Sequence, residues 1–74
     1  MFELVWFHEG RFYSFALARD IAHLVQPITH ILSGVREEYL EEFYVVHLQR
    51  EEVVGSMSML AFCRANGIPT ATDE

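Results

Sequence analysis

Apolar residues make up 51% of a 74-residue chain, and that proportion limits what it can fold into more than any motif does. A domain this short buries only about 60% of the surface its unfolded chain exposes, so some of those side chains have no interior to enter. The expected product is a small fold that leaves a sticky surface for another polypeptide. Chains below ~70–80 residues also tend to need a disulfide, a metal or a second subunit for stability. Cys63 has no second cysteine to pair with, which excludes an intrachain disulfide and suits a reducing compartment.

Charge narrows the partners. Eleven acidic against five basic residues give a net charge of -6, which repels nucleic acid and anionic membrane surfaces. All five bases are arginine, so Schiff-base chemistry and a P-loop phosphate site are excluded. The start, Met-Phe-Glu-Leu-Val-Trp, lacks the cationic region of a secretory signal, and no stretch reaches the ~18 apolar residues of a membrane span. The expectation is a soluble cytoplasmic protein, or one in a host cytosol if virus-encoded, with no membrane and no direct nucleic-acid contact.

The first element reads as a β-hairpin. Phe2 to Phe7 and Arg11 to Phe15 are rich in aromatic and β-branched residues, and Glu9-Gly10 supplies a glycine for a tight turn. Phe7 then faces Phe12, Trp6 faces Tyr13 and Leu4 faces Phe15. Both faces of the ribbon are apolar: Leu4, Trp6, Tyr13 and Phe15 on one, Val5, Phe7 and Phe12 on the other. Two strands are marginal alone, so one face is expected to pack on helices. The second, with Val5, Phe7 and Phe12, is left for a dimer interface.

From Ala16 the period becomes helical, with Leu17, Ile21, Leu24, Ile28 and Ile31 on one side. Pro27 either kinks this helix or begins a second one. Ser33-Gly34 marks its end. The segment from Arg36 to Asn66 fits a helix, with Tyr39, Leu40, Phe43, Val46, Val53, Val54, Met57, Leu60 and Ala61 on one face. Glu37, Glu38, Glu41, Glu42, Glu51 and Glu52 fall on the other half. The competing reading makes Phe43–Leu48 a strand, Gln49 to Glu52 a turn and Met57 to Asn66 a closing helix. The helical reading is preferred. Asn66-Gly67-Ile68-Pro69 stops the last helix.

Chemistry-bearing residues are sparse. His23 and His30 are ~10 Å apart along a straight helix, too far to share one metal ion. Cys63 reads as a small buried hydrophobe. The serines sit in no nucleophile motif, and the glutamate pairs have no cleft to perturb them. No catalytic residue, cofactor or metal site is assigned.

What remains is a surface. On a helix, Val45 and Leu48 project from the same arc as Glu37, Glu38, Glu41 and Glu42, with Tyr44 at its border, an apolar centre in an acidic rim. Together these observations predict an α+β single domain over residues 1–68, in which an N-terminal β-hairpin packs on helices in the order ββα followed by one long or broken C-terminal helix. Residues 69–74 form a frayed tail. The function expected is that of a non-enzymatic, homodimeric interaction module. It binds and regulates or inhibits another protein, one with a basic surface suiting the glutamates. The alternative is an acidic inhibitor of the virus-encoded type, imitating nucleic acid to a DNA- or RNA-binding machine.

Overall fold

The Glu9-Gly10 turn does what its glycine suggests. In a computed structural model that describes residues 1–70, both turn residues have positive φ, 53° and 80°, the pattern of a tight two-residue hairpin. They join β1 (Phe2–His8) to β2 (Arg11–Ala18). His8 pairs with Arg11, Phe7 with Phe12 and Trp6 with Tyr13, as the turn position dictates. Past Val5, which faces Ser14, the register slips by one and Leu4 pairs with Ala16 rather than Phe15. Phe15 is the extra residue of a β-bulge.

β2 runs to Ala18, further than the helical period suggested, so Leu17 belongs to a strand and is exposed. Asp20 then caps a 3-10 turn at Ile21–Leu24, accepting from the His23 amide, and the chain continues into α1 (Val25–Gly34). Pro27 sits in the first turn of α1, where its missing N–H has no intrahelical carbonyl to serve. Leu24, Ile28 and Ile31 are buried together, and Ile21 packs against them.

The segment expected as one long helix folds otherwise. It forms a 3-10 turn at Glu37–Glu42, then β3 (Phe43–Gln49), β4 (Glu52–Ser58) and a short α2 (Met59–Ala65). The strand reading of Phe43–Leu48 is the correct one. Two facts outweigh the helical period. Four valines at 45, 46, 53 and 54 favour extended backbone, and β3 finds a pairing partner in β1, with Leu4 opposite Val45 and Trp6 opposite Phe43. Ser58 caps α2 by accepting from the Ala61 amide. At its other end Gly67, with φ of 70°, lets the Ile68 amide reach the Cys63 carbonyl at 2.9 Å, a glycine-dependent helix stop.

The result is an α+β domain built on one antiparallel sheet of order β2-β1-β3-β4. Leu4, Phe43 and Val45 meet Leu24, Ile28, Ile31, Met59, Phe62 and Cys63 in one core, so both helices and both 3-10 turns cover the same side of the sheet. The Cα atoms span 16 Å along the thinnest axis, as a sheet and one layer over it require. Of the expected tail at 69–74, positions 71–74 lie outside the described residues.

The β3–β4 turn is made by Arg50 and Glu51, at φ of 52° and 68°. Neither is glycine, asparagine or aspartate, so both hold a left-handed conformation against their own Cβ. Glu51→Gly is expected to stabilise the protein by about 1 kcal/mol, read as a higher urea midpoint. An unchanged or lower midpoint contradicts this account of the turn.

Candidate interaction face

A strand alternates its side chains between two faces, and among the described residues only one face is roofed. Residues paired across the ladders share a face, so the open one can be read from the register. Across β2, β1, β3 and β4 it carries Ser14, Val5, Tyr44 and Ser58 in one row and Leu17, Glu3, Val46 and Ser56 in the next. Phe12 and Phe7 flank these rows at one end, Leu48 and Val53 at the other. Phe12, Leu17 and Val53 are 69%, 60% and 66% exposed, unusual for three large apolar residues on one surface. Between Phe7, Phe12, Tyr44, Val46, Val53 and Ser56 lies a shallow hollow of about 410 Å³.

The residues expected to form a partner surface divide over both faces. Phe7 and Phe12, their rings 4.6 Å apart, lie on the open face with Tyr44 and Leu48. Val5 lies there too but is buried beneath its neighbours, outside the main core cluster. Val45 points the other way, into the core, at 3% exposure. It was expected to share an arc with the glutamates, and in a strand it cannot. Leu17, Val46 and Val53 complete the open face and were missed as members of it, although the period-two pattern Tyr44, Val46, Leu48 was a signal for the last strand but one.

Glu37, Glu38, Glu41 and Glu42 lie on the roofed side, on the 3-10 turn whose Leu40 enters the core. They do not rim the apolar face. Glu37, Glu38 and Glu41 are exposed. Glu42 is structural: its Oε1 accepts from Trp6 Nε1–H at 2.9 Å, and His8 Nδ1 lies 2.9 Å from the same oxygen. The indole stacks on the His8 ring at 4.5 Å, and Tyr39 stands edge-on to both. This cluster pins the 3-10 turn to the far end of β1. No sequence signal marks it, because its members are separated by more than 30 residues and meet only through the β1–β3 pairing.

Hydrogen bonds from His8 and then Trp6 hold the Glu42 carboxyl below its ordinary pKa. A carboxyl depressed in the folded state adds stability above its unfolded pKa of about 4.3 and loses it as the pH falls through the folded value. Glu42→Gln is therefore expected to be less stable than wild type at neutral pH. The gap should narrow as the pH falls below about 4.3, the unfolded value, measured by urea unfolding from neutral into acid. A gap independent of pH contradicts the role given to the carboxylate.

Burial raises the pKa of the Cys63 thiol, although Arg64 opposes the shift, and its buried sulfur fits the reading as a core hydrophobe. His23 Nδ1 lies 2.7 Å from the capping Asp20 carboxylate, whose pKa is lowered chiefly by that hydrogen bond. Among the described residues no group of three or more His, Cys, Asp or Glu side chains is placed to hold a metal, and no helix is long and apolar enough to cross a membrane.

The class defined is a two-layer α+β domain with one unroofed, largely apolar sheet face. No family model, no curated protein and no solved structure matches the chain.

Proposed function

We propose that the protein is a non-enzymatic interaction module that binds other polypeptide through the open face of its sheet. The observation that carries this is the exposure of Phe12, Leu17 and Val53 on a face that no helix among the described residues covers. Water-exposed apolar area of this extent is favourable to bury, at roughly 25 cal/mol per Å². The face carries three aromatic side chains, Phe7, Phe12 and Tyr44, and a single charged residue, Glu3, in its two central rows, and aromatic enrichment with few charges is what interface cores show. Regulation or inhibition of a bound protein follows from occupying its surface. A photoreactive residue at position 12 is expected to form polypeptide crosslinks that the same residue at position 37, on the roofed side, does not form. Absence of any crosslink at 12 refutes the reading.

A second reading draws on Glu37, Glu38 and Glu41, three exposed carboxylates on a single short turn. They could occupy a basic groove in place of phosphates. That contact would be strongly salt-sensitive and would be lost in the Glu37→Gln, Glu38→Gln, Glu41→Gln variant. Glu42 is left out of this variant because its loss would disturb Trp6 and His8. Binding that survives the triple change eliminates the acidic decoy.

A further inference from the structure

We propose that the protein holds a quaternary ammonium group in a hollow on the roofed side of its sheet, a site separate from the open face. The hollow, about 290 Å³, is bounded by Trp6, His8, Phe15, Val35, Tyr39 and Phe43. The arrangement of its rings, the charge of the elements that carry them and the shortage of free hydrogen-bonding partners all select that chemistry.

The rings meet because of the strand register. Trp6 and His8 flank Phe7 on β1, so both take the side opposite the open face. Phe43 stands across from Trp6 on β3. The bulge brings Phe15 of β2 to the same side, where its ring meets Phe43 edge-on at 5.3 Å. Tyr39 comes from the 3-10 turn at Glu37–Glu42. Phe15 and Tyr39 stand at 86° and 84° to the indole plane, with their centroids 6.3 and 6.4 Å from its centroid. A cation is attracted to ring faces when it lies within ~6 Å of their centroids. Two perpendicular rings that each face a point ~4.5 Å away have centroids ~6.4 Å apart, so this spacing admits one cation inside that limit. Phe15 is 49% exposed, which leaves the hollow open to a ligand.

The charge around the rings is negative. Tyr39 lies on the turn that carries Glu37, Glu38, Glu41 and Glu42. Glu42 is bonded to the indole edge, and Glu9 lies 3.6 Å from His8. The basic residues on the same elements are Arg36, which precedes the turn, and Arg11, opposite His8. Carboxylates outnumber them, and the net charge of -6 acts in the same direction, so a cation is drawn to the hollow.

The form of the cation follows from what the hollow lacks. Glu42 Oε1 already accepts from Trp6 and lies 2.9 Å from His8 Nδ1, and ring faces accept hydrogen bonds only weakly. A primary ammonium or a guanidinium gives up water for its N–H donors and finds little in exchange. A nitrogen covered by methyl groups has no donor to satisfy, and its charge still meets the rings.

Trp6 is the only tryptophan of the chain, so it reports on the hollow directly. Tetramethylammonium chloride, added to the full chain at an ionic strength held constant with sodium chloride, is expected to give a saturable change in Trp6 emission and in the NMR position of its indole proton. Of choline and a peptide bearing trimethyl-lysine, the one that saturates at lower concentration identifies the source as a free small molecule or a modified protein. The neutral analogue of choline, 3,3-dimethylbutanol, should bind roughly tenfold more weakly than choline. Phe15→Leu and Tyr39→Leu keep apolar bulk and remove a ring face. Each should weaken tetramethylammonium binding several-fold while the far-ultraviolet circular dichroism stays that of wild type. No change in either Trp6 signal overturns the proposal. So does equal binding of the neutral analogue, which would make the hollow merely apolar, and so does affinity undiminished in both leucine variants. None of these outcomes bears on the open face, which the crosslinking at position 12 tests by itself.

Discussion

Phe43→Ala is expected to cost the chain about half of its stability. Phe43 is 1% exposed at the start of a central strand. It lies parallel to Trp6 at 5.9 Å and meets Phe15 edge-on at 5.3 Å. Removing a buried phenylalanine ring costs about 3–5 kcal/mol. A chain of 74 residues has a total stability of about 4–11 kcal/mol, so the loss takes about half of a mid-range value. Neighbouring rings offer little relief, because Trp6 is fixed by its bond to Glu42 and cannot fall into the space. Circular dichroism with urea unfolding reads the outcome. A cooperative transition within about 1 kcal/mol of wild type would show that Phe43 does not anchor the core.

Adjacent lysine substitutions in β3 are expected to differ as sharply as folded and unfolded. Val45 faces the core and Val46 the open side. Val45→Lys places an ammonium among Leu4, Phe43 and Met59, where an unpaired charge costs several kcal/mol or must give up its proton, and the variant should not fold. Val46→Lys sets a lysine directly across from Glu3, a cross-strand ion pair that adds roughly 0.2–1 kcal/mol, and should fold with wild-type secondary structure. The same variant should weaken any association through the open face. Equal tolerance at both sites would sink the strand register, since on a helix the two would be only 100° apart.

That contrast shows where the sequence was readable. The first hairpin follows from local chemistry: Gly10 permits the turn, and the turn fixes the pairs from His8–Arg11 to Trp6–Tyr13. The spacing of Ile21, Leu24, Ile28 and Ile31 places the roof of the core. The expectation that one face of the hairpin packs on helices while the other stays open also matches the structure, through Phe7 and Phe12. What lay beyond reach was non-local. Nothing near Phe15 announces the bulge that moves Leu4 opposite Ala16. The second hairpin turns through Arg50 and Glu51, which carry none of the Asn-Gly or Asp-Gly chemistry that normally marks such a turn. Without that marker, apolar positions spaced three and four apart mimic a helix, and only the pairing of β3 with β1 decides against it. The glutamate-rimmed patch failed for the same reason, because it existed only on a helix.

The strand order also shapes how the molecule comes into being. β1 sits in the middle of the sheet, and its second neighbour, Phe43–Gln49, follows it in the chain by some 35 residues and is synthesised that much later. In the interval the nascent hairpin displays greasy side chains both above and below, and both of its strand edges are unpaired. Contacts distant along the chain form slowly, and unpaired strand edges invite aggregation. The interval before β3 arrives is therefore one in which a central strand lacks its neighbour and its edge is open to wrong pairing.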